Sequence, residues 1–238
     1  MVHDGLVDFR HFDDIWRDFP ALLPCALLAP AIRPDVPVDA RLASLTGAAR
    51  SRLATAREGE LAEIQAWRRA FAQMGLKPTQ YRCAAESLLR RFRKDGVLPR
   101  LHPLVDLCNA VSLAYAIPVA AFDVAKITGD LGVRYAVGDE EYLTFAGEVE
   151  RPEAGEVIFC DQAGQAHARR WTNRQSGLSA VGEKTATALI VAEALHDRAA
   201  SDVPRLMAAL GDELAAAFGA TPTAAVLSRS APLFTFAP

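Results

Sequence analysis

Two polar side chains lie one turn apart on an otherwise apolar stretch, His102-Pro103-Leu104-Val105-Asp106-Leu107-Cys108-Asn109-Ala110-Val111. A mostly buried helix keeps a carboxylate and an amide only where partners satisfy them. Asp106 and Asn109 therefore either bridge to backbone or an arginine, or line a cleft where an amide positions a water or a ribose hydroxyl. The spacing leaves both readings open. A second cluster, His167-Ala168-Arg169-Arg170-Trp171-Thr172-Asn173-Arg174-Gln175-Ser176, gathers three arginines, a tryptophan and two amides. Guanidinium, aromatic ring and amide together suit stacking on a base and holding phosphate or sugar. A polar hairpin edge uses the same residue types. The third feature is charge. Residues 77–100 hold Lys77, Arg82, Arg90, Arg91, Arg93, Lys94 and Arg100 against Glu86 and Asp95. That is a local +5 in a chain of net −3, and it leaves the remainder at −8. Such segregation is what phosphate contacts need, although Arg82, Glu86 and Arg90 at i, i+4 also describe a solvated helix face.

Other chemistries find little support. No GxGxxG or Walker loop is present, and no GxSxG elbow supports a serine triad. Cys25, Cys83, Cys108 and Cys160 form no CxxC pair, and His3, His11, His102, His167 and His196 show no metal spacing. The cysteines read as small core residues. No metal and no cofactor is expected.

A chain of 238 residues, 51% hydrophobic and 23% charged, is ordinary globular material with a core large enough to fold unaided. Ala21 to Ile32 is the longest apolar stretch. Pro24 and Pro30 interrupt it, and it falls short of the ~20 residues that span a bilayer. Asp4, Asp8, Asp13 and Asp14 near the start argue against a signal peptide, and unpaired cysteines fit a reducing cytoplasm.

The elements that must position these groups follow from periodicity. Leu22 to Ile32 predicts a strand. Helix formers run from Ala48 to Met74 with an apolar stripe at Leu53, Leu61, Ile64, Trp67 and Phe71, and Gly75 stops it. A second helix is expected from an N-cap at Thr79 to Gly96, and a third from Pro103 to about Tyr115. Alternation of Leu131, Val133, Tyr135 and Val137 predicts a strand; Leu143 with Phe145, and Val157 to Phe159, suggest more. Helices over Glu183 to Arg198 and Asp202 to Phe218, then a Pro-containing tail, close the chain. The expectation is one α+β domain over 1–238 with a sheet-rich core. Strand and helices fill 1–74, and a C-terminal helix and tail fill 196–238.

Five stretches in register resemble a known family: Tyr81 to Leu88, His102 to Asn109, Pro118 to Asp123, Ile127 to Arg134, and Arg169 to Gln175. Over about 75–195 the chain resembles a freestanding B3/B4 domain, related to the editing domain in the beta subunit of bacterial phenylalanyl-tRNA synthetase. The resemblance implies a sheet-rich amino-acid pocket and a tRNA-related role, with hydrolysis of mischarged aminoacyl-tRNA in trans. It singles out Asp106, Asn109, Asp123, Gly129, Arg134 and Glu140. Two departures stand out. Ala120 replaces the histidine of the Pro-x-His-Ala-Phe-Asp pattern, and the Arg169 to Gln175 cluster replaces a Gly-rich loop, so tyrosine specificity does not carry over.

The mechanism implied is hydrolysis of an activated ester by a positioned water. Asn109 and Glu140 are expected to orient the water, with backbone amides near Gly129. Arg82, Arg134, Arg170 and Arg174 are expected at the terminal phosphates, and Trp171 on the terminal adenine. Tyr81, Asp106, Asp123, Asn173 and Gln175 complete the binding set, with Glu86 fixing Arg82. The expected partner is the aminoacylated 3' end of tRNA, with no DNA and no membrane. Two rivals remain: a tRNA- or RNA-binding module without catalysis, and a binder of a free amino acid or another metabolite.

Overall fold

Pro103 supplies a preset first-turn φ, and His102 before it caps the helix through its side chain. That helix and its neighbours are seen in a computed structural model that describes residues 5–237, so His3 and Asp4 lie outside the described residues. In chain order the elements are β1 (Val7–His11), α1 (Asp13–Asp18), β2 (Leu23–Ala29), α2 (Asp39–Thr55), α3 (Ala62–Gln73), α4 (Ala84–Asp95) and α5 (Pro103–Tyr115). Then come β3 (Val119–Asp123), β4 (Leu131–Tyr135), β5 (Tyr142–Leu143), β6 (Val149–Glu150), β7 (Val157–Asp161), β8 (Ala166–Arg169) and β9 (Arg174–Gln175). The chain closes with β10 (Ala188–Ala194), α6 (Ala199–Phe218), β11 (Thr223–Val226) and β12 (Leu233–Phe236). This is a single α+β domain.

Two sheets carry the core. The larger runs β12-β1-β4-β7-β8-β9 and the smaller β11-β2-β10-β3, while β5 and β6 pair as a separate hairpin. Side-chain alternation assigns the faces of β10. Leu189 and Val191 join Phe9, Trp67, Phe122, Phe159 and Trp171 in one apolar cluster. Ala188, Ile190, Ala192 and Ala194 join Leu104, Leu107, Val111, Leu206 and Leu210 in the other, under α5 and α6. Glu193 is in phase with Leu189 and Val191, so its carboxylate points into the first cluster.

Four local expectations are corrected. The helix expected over Ala48–Met74 is two, because α2 ends at Thr55 with Ala56 extended, and a turn carrying the buried Glu58 intervenes. The N-cap of α4 is Cys83, not Thr79; its Sγ accepts the Glu86 N–H at 3.4 Å. The stretch Glu183–Arg198 contains no helix but the strand β10, buried along its whole length between β2 and β3. Its Ala, Leu and Glu residues favour helix by propensity, yet an apolar run buried on both faces is how a central strand reads. The tail forms two strands, β11 on the edge of β2 and β12 on the edge of β1.

The start of α5 is pH-sensitive. His102 Nδ1 accepts the Leu104 N–H at 3.2 Å, which requires an unprotonated nitrogen. Burial lowers the His102 pKa from its ordinary value, outweighing the opposite pull of Asp106. With the folded pKa below the unfolded one, this stabilisation is present above about pH 6.5 and is lost as pH falls through the folded value. His102→Asn caps without titrating. It is expected to lose less thermal stability than the parent between about pH 7.5 and about pH 5.5; melting curves with equal losses would contradict this account of the cap.

Candidate functional site

The free edges of the two sheets face each other. β3 ends the smaller sheet, β9 ends the larger, and the Gln175 side chain spans the gap, its Nε2 donating to the Ala121 carbonyl at 2.6 Å. A cleft wraps around this crossing. On the inner side is a cavity of about 70 Å³ whose lining includes Ala120, Phe159, Trp171, Asn173, Gln175 and Glu193. On the outer side, between β3 and α5, is a hollow of about 200 Å³ bordered by Leu101, Val105, Asn109, Phe145, Gln175 and Val181. A third opening of about 370 Å³ adjoins it under the β5–β6 hairpin, with Tyr142, Phe145, Glu150 and Arg174.

The inner cavity is built on an unusual turn. Arg170 and Trp171 both have positive φ, 47° and 57°, a conformation that bulky side chains adopt only under constraint from their surroundings. Here the constraint is visible. The Trp171 N–H donates to Val157 O at 2.6 Å, and the indole lies edge-on to Trp67 and Phe19 at centroid distances of 5.0 and 4.7 Å. Trp171 Nε1 donates to Glu193 Oε1 at 2.8 Å, and His11 Nε2 meets the same oxygen at 2.6 Å. Glu193 is buried, and its Oε2 has no hydrogen-bond partner among the described residues. The cavity thus offers apolar walls, a polar side formed by Thr172, Asn173, Arg174 and Gln175, and one carboxylate oxygen able to receive a hydroxyl or ammonium donor.

Asn109 stands half-buried on α5 at the outer hollow, and its amide has no side-chain partner among the described residues. It also reaches the rim of a separate hollow of about 240 Å³ against α2. Nearby Cys108 is no nucleophile, because burial pushes its thiol up to about 12. Asp106, one turn away, is fully engaged: Oδ2 accepts from Arg100 Nε at 2.9 Å and Oδ1 from the Leu101 N–H at 3.0 Å.

Several other expected residues surround the turn after β8, of which Asn173 and Arg174 line the inner cavity. Asn173 Nδ2 donates to Arg82 O at 2.7 Å and the Ala84 N–H to Thr172 O at 2.8 Å, tying the segment before α4 to the turn after β8. The Arg170 guanidinium covers the Tyr81 ring at 4.8 Å. Arg82 donates to Thr79 O at 2.7 Å, and Arg174 pairs with Glu150 at 3.0 Å above the Tyr142 ring. Glu86 binds Arg68 at 2.5 Å more closely than Arg82 at 3.5 Å.

Others sit elsewhere. Arg134 donates to Cys160 Sγ at 3.3 Å, and Cys160 belongs with Ile158 to a small cluster on the face of β7 opposite Phe159. Glu140 is bound there too. It accepts from Arg134 at 2.5 Å and from the Val137 and Gly138 N–H groups, each at 3.0 Å. Burial alone would raise the Glu140 pKa, but those N–H groups and Arg134 hold it below its usual value. Glu140 locks a turn and is not brought to Asn109. Asp123 accepts from the Ala125 N–H and the Thr185 hydroxyl, and Gly129 serves a turn at φ 65°. Trp171 is fully buried, so no face of it is open to a base.

Glu193 and His11 escaped sequence reasoning. The signal was one acid in the run Ala188-Leu189-Ile190-Val191-Ala192-Glu193-Ala194, which as a strand must bury it. Among the described residues, Glu63, His196 and Asp202 each bring a potential metal-ligand atom within 4.8 Å of the others. Arg52 pairs with Glu63, and Arg198 and Arg205 approach Asp202 at 3.8 and 3.9 Å, so a cation would have to displace charges already matched.

The model of the B3/4 domain family matches residues 66–207. The chain is similar to phenylalanine–tRNA ligase beta subunits: 37% identical over 76 residues to that of Cereibacter sphaeroides, covering 32% of this chain and 9% of the subunit. It is 36% identical over 90 residues to that of Shewanella oneidensis, covering 37% and 11%. The matched stretch is thus about a tenth of those relatives' length. A crystal structure of an N-terminal fragment of the phenylalanyl-tRNA synthetase beta subunit from Pyrococcus horikoshii aligns with a TM-score of 0.47 and 10% identity, over 96% of this chain and 53% of that one.

Proposed function

The chain belongs to the B3/4 domain family, and from that premise we propose that it binds tRNA and hydrolyses mischarged aminoacyl-tRNA carrying a small amino acid. One observation carries the reading: on the two sides of the Gln175–Ala121 crossing lie a cavity with a receptive carboxylate oxygen, Glu193 Oε2, and a hollow with a free amide, Asn109, with Arg174 in the cavity lining. The amino-acid side chain enters the cavity, where Glu193 receives a donor group of the substrate. Size sets the class. A cavity of about 70 Å³ is less than half of the roughly 150 Å³ that holds a benzene ring, so an aromatic side chain does not fit.

The chemistry asks little of the protein. Water adds to the ester carbonyl, the tetrahedral adduct collapses, and the ribose oxygen leaves as a hydroxyl, releasing free amino acid and tRNA. Asn109 orients the water or the carbonyl oxygen, while Arg82, Arg170 and Arg174 attract the terminal phosphates. Initial rates on a tRNA mischarged with a small amino acid test this directly. Asn109→Ala is expected to lower kcat/KM at least about tenfold, or 1.4 kcal/mol. A fall of less than about threefold removes Asn109 from the catalytic set. Intact tRNA binding without any ester cleavage would leave a non-catalytic module, an outcome consistent with Ala120 standing where the family pattern has histidine.

A further inference from the structure

Trp171 lies inside the core and Arg170 takes one face of the Tyr81 ring, whereas the Phe145 ring stands open at the cleft. We propose that Phe145 is the platform on which the 3'-terminal base of the tRNA stacks, with Arg174 beside it for the adjoining phosphate; this rests on the reading of the cleft given above. Phe145 is 75% exposed. A lone exposed apolar side chain is unremarkable by itself. The backbone that holds it is the informative part.

Phe145 sits at the tip of the β5–β6 hairpin, between backbone groups that are hydrogen-bonded across it. Thr144 N–H donates to Glu148 O at 2.8 Å, Thr144 Oγ1 accepts the Glu148 N–H at 3.0 Å, and Gly147 turns the chain with φ 85°. The hairpin is then fastened to β9 and the residues after it. Tyr142 Oη donates to Gln175 O at 2.7 Å, and Ser176 Oγ and the Gly177 N–H each donate to Leu143 O at 2.8 Å. Gly177 permits the contact: a Cβ there would lie 3.0 Å from Thr144 O and 3.4 Å from Phe145 Cα. A rigid mount that presents an exposed ring is what a pre-organised binding surface requires.

Its location selects the occupant. Phe145 borders both the hollow that holds Asn109 and the opening that holds Arg174. Two acids, Glu148 and Glu150, line that opening with Arg174. Glu150 also pairs with Arg169 at 2.6 Å, so a phosphate that takes the place of Glu150 on Arg174 leaves that carboxylate matched. A single-stranded nucleotide end fits this order of groups, with base on ring, phosphate on guanidinium and the ester toward Asn109. Stacking tolerates any base, because every base has a π face.

The test uses the full chain and a tRNA-like minihelix whose terminal adenosine is replaced by fluorescent 2-aminopurine. Wild type is expected to quench the probe on binding. Phe145→Ala is expected to abolish the quench and weaken affinity about 5- to 100-fold, and Phe145→Leu to lose the quench although it stays apolar. Phe145→Trp is expected to restore both. Quench and affinity unchanged within about twofold in the alanine or leucine variant overturn this proposal alone. No binding of the minihelix by wild type overturns it together with the tRNA reading.

Discussion

Glu193→Ala is expected to lower the melting temperature by about 6 to 20 °C, the consequence of leaving buried donors unmatched. Glu193 Oε1 receives both Trp171 Nε1 and His11 Nε2 at the centre of the larger cluster. Removing one partner of a buried charged network costs about 3–5 kcal/mol, and each kcal/mol moves a domain of this size by about 2–4 °C. His11 and Trp171 are themselves buried, so their donors lose a partner inside the core. Glu193→Gln keeps an oxygen for Trp171 and is expected to recover about half of the loss. Both variants are also expected to lose deacylation, since the oxygen facing the cavity is the group proposed to receive the substrate. Melting curves within about 2 °C of wild type for the alanine variant would contradict the assignment of Glu193 as the hub of the core.

Trp171→Ala is the second large effect. Deleting a fully buried indole costs about 3–5 kcal/mol, here with two edge-on aromatic contacts and one hydrogen bond lost. A melting-temperature fall of about 6–20 °C is expected. The substitution also moves the wall of the inner cavity. Working at a temperature where the variant stays folded, its preference is expected to shift at least about tenfold toward larger aminoacyl groups. Thermal melts and paired kcat/KM values read the two effects separately. An unchanged preference in a folded variant would show that Trp171 does not set the size limit.

How far the sequence alone leads can be seen element by element. α5 was legible because Pro103 and the apolar run through Val111 define it locally, and β4 because Leu131, Val133 and Tyr135 alternate. β10 was not, because Ala, Leu and Glu favour helix and only its placement between two strands overrides that preference. The mistake hid Glu193, because only strand alternation aligns it with Leu189 and Val191 toward the core. Arg169 to Gln175 was recognised as a cluster, but the inward turn of Trp171 depends on two consecutive left-handed residues that no local signal announces. Asn109, Arg174 and Gln175 were found from residue type and do reach one cleft. Arg134 has a suitable chemical type, yet strand alternation puts it on the other face of the larger sheet, and Glu140, in the turn after β4, is bound to it there. Residue type proposes a site, and strand parity decides who shares it.

The most direct measurement of the central claim is deacylation of a panel of tRNAs charged with amino acids of graded size, with Asn109→Ala and Arg174→Ala alongside wild type. The account predicts release confined to small side chains, reduced at least about tenfold by Asn109→Ala in kcat/KM and weakened by Arg174→Ala chiefly through KM. Release from aromatic aminoacyl-tRNAs as fast as from small ones, or no release from any member while the protein is folded, would contradict it.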